Sequence, residues 1–483
     1  MTTTETTDGT GTTEDGWSLA LIVLGAGSGT RMRSKLPKPL HPIAGLPMIT
    51  HVLRAGGGAA TVSTTIVVSP ALADDARTLA APEPFEVVVQ DFARGTADAV
   101  ETALPSISDA SHLLILFADH PLLTKDTVAD LVSGARNERA LITILTCALP
   151  DAKGYGRIER DESGRPLRVV ERKDDSLELR TGETEINSGM MVVDASWARR
   201  VLPAIKASDA TGEYYLTELV AAAVAEARPD RNPWPVATVA APAEVALGIN
   251  DRVQLAEAEA VLRERIRQRH MLDGVAISEP HTVLIDVDVE IGQDTTILPY
   301  SMILGRTVIG EDCAIGPNAV ISNSNIANRV IVQSSTITDS SIADDSDVGP
   351  YSHLRRGAEI GPRVHIGNFG EIKNAVIEAA TKVGHFSYIG DAHIGTNTNI
   401  GAGTVTCNFD GVTKHHTEIG ADVFVGSDSM LIAPISIGDG ATIGAGSVVT
   451  RDVDAGTTVV GAPARRIKRS TVSNDAQPVR KGD

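Results

Sequence analysis

Cysteine is scarce in this sequence. Only Cys147, Cys313 and Cys407 occur among 483 residues, and they lie far apart. Three widely spaced cysteines provide neither a disulfide framework nor the paired spacing of a zinc site. We therefore expect a chain that works in the reducing environment of the cytoplasm.

Membrane spans and targeting segments are also missing. No apolar run approaches the length that crosses a bilayer. Residues 1–17, MTTTETTDGTGTTEDGW, lack the basic and apolar regions of a signal peptide. Their composition predicts a disordered tail, and that of residues 463–483 predicts a flexible one. We expect no membrane partner.

Basic residues are fewer than acidic residues in this chain. There are 43 lysines and arginines against 62 aspartates and glutamates, which gives a formal net charge of −19. Nonspecific binding to nucleic acid depends on a basic surface, so this class of function is excluded. Any anionic ligand must be met by local clusters of basic side chains.

The N-terminal half carries short, continuous apolar runs: LALIVL, TIVVS, FEVVVQ, LLILFAD, ALITILTCAL and MMVVD. Such runs are typical of strands buried on both faces of a parallel sheet, and segments such as TKDTVADLVSGAR supply crossover helices. We predict a doubly wound, Rossmann-like α/β domain over residues 18–249. Residues 250–272 are rich in Ala, Glu, Arg and Leu without internal Gly or Pro, which predicts a linker helix.

After residue 272 the period changes to six. Aliphatic residues recur at Ile285, Ile291, Ile297, Ile303, Ile309, Ile315 and Ile321, and the pattern continues to Val449. This hexapeptide repeat predicts a parallel β-helix over residues 273–462. The repeat is interrupted at residues 401–418, GAGTVTCNFDGVTKHHTE. Such an insertion is either a functional projecting loop or a tolerated surface loop.

A glycine-rich loop, GAGSGTRM, follows the first apolar run. It matches neither common phosphate motif, because Thr30 replaces the last glycine of the Rossmann fingerprint and no G-K-[ST] closes a P-loop. Exposed backbone N–H groups in such a loop can still surround an anion. Arg31 and Lys38 add positive charge close by. The loop favours a phosphate-bearing ligand.

LGAGSGTRMRSKLPKPLH resembles the L-A-A-G-x-G-T-R-M…P-K loop of sugar-phosphate nucleotidyltransferases. Joined to hexapeptide repeats, it is similar to the bacterial bifunctional N-acetylglucosamine-1-phosphate uridyltransferase/glucosamine-1-phosphate acetyltransferase family, over roughly residues 18–460. The resemblance implies N-acetylation of glucosamine 1-phosphate by acetyl-CoA. It then implies Mg²⁺-dependent uridylyl transfer from UTP to N-acetylglucosamine 1-phosphate, with release of pyrophosphate. A left-handed β-helix, a homotrimer with acetyl-transfer sites at subunit boundaries, and a role in cell-wall and peptidoglycan precursor supply are also implied.

For uridylyl transfer the resemblance implies that Arg31 and Lys38 are catalytic and bind phosphates. Asp119 follows a buried strand, where open α/β sheets bind ligands, although such a residue alone is as easily a helix cap. The resemblance makes Asp119 and Asn250 the Mg²⁺ ligands. The implied nucleotide and sugar contacts are Leu24, Gly25, Ala26, Gly27, Lys38, Gln90, Gly95, Thr96, Asp119, Gly156, Glu171, Asn187 and Asn250.

For acetyl transfer the resemblance implies that His385 is the general base, a task that suits an imidazole near neutral pH. Arg355 and Lys373 are eighteen residues apart, about one coil, so we expect neighbouring side chains. Adjacent like charges are unfavourable unless an anion lies between them, which independently supports a phosphate site. The implied glucosamine-phosphate contacts are Arg355, Lys373, Tyr388 and Asn399, and the implied acetyl-CoA contacts are Ala402, Asn408, Ser427 and Ala445.

The chain departs from the family at Ala462, where members carry an arginine thought to meet coenzyme A, and Arg465 and Arg466 lie close by as candidate substitutes. Two alternatives remain open. One is a single-activity sugar-1-phosphate nucleotidyltransferase whose β-helix serves only oligomerisation or regulation. The other is a non-catalytic scaffold, against which the intact Asp119, Lys38 and Asn250 weigh.

Overall fold

The computed structural model describes residues 16–79, 81, 83–107, 109–150, 155–170, 184–209, 211–228 and 233–467. The chain divides into two compact units, Met1–Leu262 and Arg263–Asp483. The division falls within one long helix, Arg252–Leu272, at the place of the predicted linker. The domain limits predicted from the sequence stay predictions. In the described part of the chain, no helix is both long enough and apolar enough to cross a membrane.

The first unit alternates strands and helices. Its described strands are β1 (Leu19–Gly25), β2 (Pro42–Ile43), β3 (Leu46–Pro47), β4 (Ser63–Val68), β5 (Glu86–Val89), β6 (His112–Phe117), β7 (Ile142–Leu149), β8 (Arg157–Arg160), β9 (Pro166–Val170), β10 (Thr184–Asp194) and β11 (Val236–Ala241). The described helices of the chain are α1 (Met48–Gly56), α2 (Ala73–Arg77), α3 (Thr96–Ala103), α4 (Lys125–Glu138), α5 (Ala195–Val201), α6 (Glu218–Ala225) and α7 (Arg252–Leu272).

Helices cover both faces of the main sheet, whose order is β11-β7-β10-β6-β1-β4-β5. Side chains of β1 alternate between the two faces: Leu21 and Val23 pack with α1 and α4, and Ala20 and Ile22 pack with α3, α5 and α6. All residues of β1 are buried, as expected for a strand covered on both sides. The predicted doubly wound α/β architecture is confirmed.

One part of the strand prediction is wrong. The apolar run MMVVD lies in β10, which runs antiparallel to both β6 and β7, so the sheet is mixed. Between β7 and β10 the described chain forms the β8–β9 hairpin. A strand can join an antiparallel neighbour without a crossover helix. Because a strand buried on both faces is a continuous apolar run whether it is parallel or antiparallel, the sequence does not reveal its direction.

The strand order reverses at β1, with β4 and β5 on one side and β6 on the other. The carboxyl ends of β1 and β6 lie together, because the Ala118 N–H donates to the Leu24 carbonyl at 2.9 Å. Open α/β sheets bind ligands in the crevice at such a reversal. The fold thus places the glycine loop and Asp119 at one edge.

The second unit consists of short strands. They are β12 (Ala276–Ile277), β13 (Leu284–Ile285), β14 (Glu290–Ile291), β15 (Thr296–Ile297), β16 (Met302–Leu304), β17 (Val308–Ile309), β18 (Ala314–Ile315), β19 (Val320–Ser322), β20 (Asn325–Ile326), β21 (Ile331–Val332), β22 (Thr336–Thr338), β23 (Ser341–Ile342), β24 (Asp347–Val348), β25 (His353–Ile360), β26 (His365–Asn368), β27 (Glu371–Ile377), β28 (Lys382–His385), β29 (Tyr388–Ile394), β30 (Asn399–Ile400), β31 (Val405–Cys407), β32 (Thr417–Ile419), β33 (Phe424–Val425), β34 (Met430–Ile432), β35 (Ile435–Ile437), β36 (Thr442–Ile443), β37 (Val448–Val449), β38 (Thr458–Val460) and β39 (Arg465–Arg466).

These strands stack in parallel, each on the strand one coil later, and the antiparallel β38–β39 pair ends the stack. The register advances by sixteen to eighteen residues per coil, as in Leu284↔Met302 and Val320↔Thr336. Ile303 and Leu354 on the inward-facing ladder have no exposed surface, whereas Ile291 is only half-buried. The predicted parallel β-helix is confirmed.

The interruption of the repeat is a real insertion. Val405 pairs with Met430, a longer step than in the other coils, and the extra residues form a projecting loop. Within this loop Phe409 and Lys414 form an antiparallel bridge. The loop therefore folds back on itself.

Candidate active sites

A cleft of about 380 Å³ opens where β1 and β6 end. It is lined by the glycine loop, by the segment after β6, by residues that precede α3 or lie in its first turn, and by Asn250, which precedes α7. Of the predicted nucleotide and sugar contacts, it brings together Leu24, Gly25, Ala26, Gly27, Arg31, Lys38, Gln90, Gly95, Thr96, Asp119 and Asn250.

The glycine loop passes close over Lys38. Gly29 has a φ of +58°, and a Cβ there would lie 2.7 Å from the Lys38 Cβ. A side chain at Gly29 would be strained and would displace the lysine. Among the described residues, no heavy atom outside Gly27 and its two chain neighbours lies within 4 Å of the place where a Cβ on Gly27 would be, so the loop is open at that point. Backbone N–H groups here can approach a phosphate.

Four charged or polar side chains converge in the cleft. Lys38 Nζ donates to Asp119 Oδ2 at 2.5 Å and to Asn250 Oδ1 at 3.4 Å. Arg31 donates to the same Asn250 oxygen at 2.8 Å. The Ile249 N–H donates to the Asp119 carbonyl at 3.0 Å, which fixes the segment that carries Asn250. Two protein oxygens therefore converge on one cationic nitrogen.

The carboxylate of Asp119 is held on its other side by His120, whose Nδ1 lies 2.9 Å from Asp119 Oδ1. Burial raises the pKa of Asp119, but hydrogen bonding to His120 and the ammonium of Lys38 outweigh burial and hold this pKa well below its usual range. Asp119 is therefore ionised at neutral pH. Oxygens of a carboxylate and an amide are suitable ligands for Mg²⁺.

Gln90 lies beside the cleft with most of its surface buried. Its Nε2 donates to the Gly95 carbonyl at 3.2 Å and to Asp98 at 2.6 Å. Both amide hydrogens are thus used inside the protein, which leaves Oε1 to accept from a ligand. Gly95 has a φ of +119°, and a Cβ there would lie 2.3 Å from the Tyr214 carbonyl. Glycine is therefore required where these two segments touch.

The segment GEYYLTEL, residues 212–219, packs against this turn. The Ala97 N–H donates to the Tyr214 carbonyl at 2.9 Å, and the Leu216 N–H donates to Thr96 Oγ1 at 2.9 Å. Glu213 and Tyr215 from this segment line the cleft. Neither residue was predicted from the sequence.

The predicted sugar contacts are only partly brought to the cleft. Asn187 donates its N–H to the Gly156 carbonyl at 2.8 Å, so these two residues are neighbours, but neither lines the cleft. Glu171 lies outside the described residues. The roles of all three stay predictions.

In the second unit His385 ends β28 at a corner of the β-helix. The same corner position is taken by Asn368 in the preceding coil and by Ala402, Ser427 and Ala445 in the following coils. Backbone hydrogen bonds join these coils at the corner. We call these five residues the corner column. It brings the predicted base and three predicted acetyl-CoA contacts into one row.

The imidazole of His385 is exposed, and its Nδ1 is hydrogen-bonded to Asn368 Oδ1. An amide oxygen only accepts, so Nδ1 carries the proton and Nε2 keeps its lone pair. Asn368 was not selected from the sequence. The signal was its position one coil before His385, where the repeat places the two residues side by side.

Arg355 and Lys373 occupy directly paired positions on β25 and β27, so the predicted proximity is confirmed. Lys414 of the inserted loop joins them, and we call these three residues the cation cluster. The close approach of the Lys414 ammonium, its charge and then the Arg355 guanidinium lower the pKa of Lys373. Within the cluster, Arg355 alone has a described ion-pair partner, Glu371 at 2.6 Å. The arrangement suits a bound anion.

Two further predicted residues adjoin the cation cluster. Lys373 pairs with Gly390, and a Cβ on Gly390 would lie 2.4 Å from Tyr388 Oη and 2.9 Å from Asn408 Nδ2. Asn408 donates to Asp391 at 2.5 Å. The side chains of Tyr388 and Asn408 therefore lie beside Gly390, the residue that pairs with Lys373.

Asn399 is not brought to this group. It lies on β30, between Lys382 and Phe424 of its own sheet, whereas Arg355 and Lys373 belong to the other large sheet. Arg465 and Arg466, considered as substitutes near Ala462, are exposed on β39. Their contact with coenzyme A stays a prediction.

Both units match known families in sequence. A model described as MobA-like NTP transferase domain matches residues 21–227. Bacterial transferase hexapeptide (six repeats) matches residues 288–323 and 416–451. The cation cluster and His385 lie between the two hexapeptide matches. The fold and the sites define a nucleotidyltransferase joined to a hexapeptide-repeat transferase.

Relatives align over nearly the whole chain. The Bifunctional protein GlmU of Brevibacillus brevis is 42% identical over 433 residues, covering 89% of this chain and 92% of that protein. The Bifunctional protein GlmU of Geotalea uraniireducens is 42% identical over 443 residues, covering 90% of this chain and 94% of that protein. The one from Mycolicibacterium vanbaalenii is 40% identical over 460 residues, with 93% and 92% coverage. The chain belongs to the GlmU family.

The family predicted from the sequence is therefore confirmed. The predicted class is confirmed with it: a bifunctional enzyme that carries a nucleotidyltransferase and an acyltransferase in one chain.

Proposed function

We propose that this chain makes UDP-N-acetylglucosamine, a cell-wall precursor, in two steps at two separate sites. The corner column and the cation cluster acetylate glucosamine 1-phosphate with acetyl-CoA. The cleft of the first unit then joins the N-acetylated sugar phosphate to UMP from UTP. The observation that carries the proposal is that each unit gathers the groups one of these reactions needs.

In the cleft, Gln90 Oε1 accepts a hydrogen bond from the N3–H of uracil, because both amide hydrogens are already used. Backbone N–H groups of the glycine loop and Arg31 hold the triphosphate. This arrangement favours a base with a donor at N3, and so uracil over cytosine.

The transfer itself depends on alignment and positive charge. An oxygen of the sugar phosphate bonds to the α-phosphorus of UTP, and the bond to the β-phosphate oxygen breaks, which releases pyrophosphate. Lys38 leaves Asp119 to meet the charge that develops on the phosphates. Asp119 and Asn250 hold Mg²⁺, which supplies further charge neutralisation when bound. Gly156, Asn187 and Glu171 are proposed to contact the sugar.

At the corner column, His385 Nε2 removes a proton from the amine of glucosamine 1-phosphate as the nitrogen bonds to the acetyl carbon. The thioester bond breaks, and coenzyme A leaves as the thiol. Asn368 keeps the proton of His385 on Nδ1 throughout. Arg355, Lys373 and Lys414 bind the sugar phosphate.

The remaining predicted contacts follow from their positions. Tyr388 flanks the sugar phosphate, and Asn408 beside it contacts acetyl-CoA, for which Ala402, Ser427 and Ala445 provide a row of small residues. The protein is a cytoplasmic homotrimer, and Asn399 contacts the sugar phosphate bound by a neighbouring subunit. The support is that, within one chain, Asn399 lies on a different sheet from Arg355 and Lys373. Sedimentation equilibrium tests this assembly, and a monomer would contradict it.

Two assays on the purified, full-length protein test the proposed activities. Pyrophosphate release should require UTP, N-acetylglucosamine 1-phosphate and Mg²⁺. Thiol release should require acetyl-CoA and glucosamine 1-phosphate. Pyrophosphate without thiol would favour the single-activity nucleotidyltransferase with an assembling β-helix. Neither product from a folded protein would favour the scaffold.

A further inference from the structure

His120 is a buried histidine that the reaction as described does not use. It is 7% exposed, and it directly follows Asp119 at the end of the β6 segment. Its Nδ1 lies 2.9 Å from Asp119 Oδ1, and its Nε2 has no hydrogen-bond partner among the described residues. Because Asp119 is ionised and can only accept, Nδ1 is the donor.

This bond leaves one oxygen of the carboxylate for a ligand. Asp119 Oδ1 accepts from His120, and Oδ2 accepts from the Lys38 ammonium at 2.5 Å. The plane of the carboxylate is fixed by the first bond, and the second oxygen faces a cation. Carboxylates that bind metals are commonly held in this way by a second hydrogen bond.

The ring is also tightly enclosed. A Cβ on Gly248 would lie 2.9 Å from both Cε1 and Nε2 of His120. Gly248 begins the short segment that ends at Asn250, and Ile249 in this segment donates to the Asp119 carbonyl. The imidazole therefore lies between the carboxylate of Asp119 and the backbone that carries Asn250.

A purely space-filling role does not account for an imidazole here. An aliphatic side chain of similar size would fill the space without burying an unpaired nitrogen, which is unfavourable. By contrast, His51, another buried histidine, bonds through Nε2 to the Ile43 carbonyl at 2.9 Å. What His120 adds is the bond to Asp119.

We propose that His120 is a positioning residue that orients Asp119 for the divalent cation of the uridylyl transfer site. The inference rests on the proposed function, in which Asp119 and Asn250 hold that cation. His120 touches neither substrate nor metal and acts only through Asp119. Its loss should therefore weaken cation binding about ten-fold, the lower end of what such supporting bonds contribute.

The test uses Mn²⁺ alone as a paramagnetic probe, with binding to the full-length protein measured by water-proton relaxation. H120L removes the donor and keeps the bulk, whereas H120N keeps an N–H donor near the position of Nδ1. His51→Leu is the matched control for loss of a buried imidazole elsewhere in the unit. We expect H120L to weaken Mn²⁺ binding about ten-fold, and H120N and His51→Leu to bind like the unsubstituted protein.

A second readout follows the Mg²⁺ dependence of pyrophosphate release. H120L should need more Mg²⁺ for half-maximal rate, with most of kcat recovered at saturation. Asp119→Asn separates the two claims: if it leaves Mn²⁺ binding unchanged, the proposed cation site itself is wrong. If Asp119→Asn abolishes Mn²⁺ binding and H120L does not weaken it, or if H120N weakens it as much as H120L, the role of His120 is overturned.

Discussion

In the cleft of the first unit, charged side chains are paired with one another, whereas in the cation cluster of the second unit like charges lie side by side. Lys38 and Asp119 form an ion pair in which their side chains are only 12% and 19% exposed. Lys373 instead faces Lys414 and Arg355, and its pKa is lowered by them. In the free protein, Lys38 is thus neutralised by a carboxylate, whereas Lys373 lies beside like charges.

The difference predicts how each site responds to its ligand. Binding in the cleft exchanges partners, because Lys38 must leave Asp119 before it meets a phosphate. Binding at the cation cluster relieves repulsion, so an anion is attracted without any internal bond being broken at Lys373. Substitutions in the cleft should therefore act mainly on kcat, and those in the cluster mainly on KM.

The largest effect is expected for Lys38→Met. Removing the ammonium takes away charge stabilisation in the transition state and leaves Asp119 without its ion-pair partner, so uridylyl transfer should fall about 10²–10³-fold in kcat. Lys38→Arg should not restore it, because a planar guanidinium does not replace a compact ammonium. Pyrophosphate release is the measurement. A loss confined to KM would contradict the proposed role.

Asn368→Leu should have the next largest effect. Without the amide oxygen the imidazole of His385 loses its fixed tautomer, and we expect thiol release to fall about ten-fold or more. Asn368→Asp keeps an acceptor but adds a negative charge that favours the protonated imidazole. The acidic limb of its pH–rate profile should move to higher pH. Profiles that superimpose on the unsubstituted protein would show that Asn368 has no such role.

Lys414→Ala should raise the KM for glucosamine 1-phosphate several-fold with a smaller change in kcat, because it removes one of three charges from an exposed site. Its effect should shrink as salt is added, since exposed charges are screened. Lys382→Ala, an exposed lysine on the other sheet, is the matched control. Equal effects of the two substitutions would mean that the cluster has no specific site.

The smallest effect concerns stability. His393 bonds to Glu418 at 2.6 Å and to Glu378 at 3.1 Å, at the end of the inserted loop. The hydrogen bond with Glu418 is the main reason that the pKa of His393 is raised. Burial raises the pKa of Glu418, but its bonds to His393 and His416 outweigh burial and lower it.

These shifts fix the sign of a pH dependence. A raised histidine pKa stabilises the folded state below the ordinary histidine pKa, and this contribution is lost as pH rises through the folded value. A lowered glutamate pKa contributes above the ordinary glutamate pKa. At pH values between the ordinary pKa of glutamate and that of histidine, His393→Gln should therefore lower the free energy of unfolding by about 0.5 kcal/mol. At alkaline pH the loss should be smaller. Urea unfolding at pH 6 and pH 9 measures this, and an equal loss at both pH values would contradict it.

Much of the fold was predictable because its repeats are local. The inward side chain recurs every six residues, so the β-helix follows from residues such as Ile303 and Leu354. The direction of β10 did not follow, because an apolar run such as MMVVD is buried on both faces in either direction. That direction is seen only in the antiparallel pairing of β10 with β6 and β7.

The sites were predictable where a motif marks them. Arg355 and Lys373 are one coil apart, so their pairing followed from the repeat. Lys414 reaches the same place only through the fold-back of the inserted loop, for which the repeat gives no spacing. His120 was missed because its role depends on a single side-chain bond and on the absence of a Cβ at Gly248.

The most direct test of two independent sites on one chain is to measure both products for His385→Ala. His365→Ala, at a half-buried histidine that pairs with Asp347 on a nearby strand, is the matched control. The account predicts that His385→Ala loses thiol release about 10²–10⁴-fold and keeps pyrophosphate release, while the control keeps both. Thiol release that survives in His385→Ala, or pyrophosphate release that falls with it, would contradict the account.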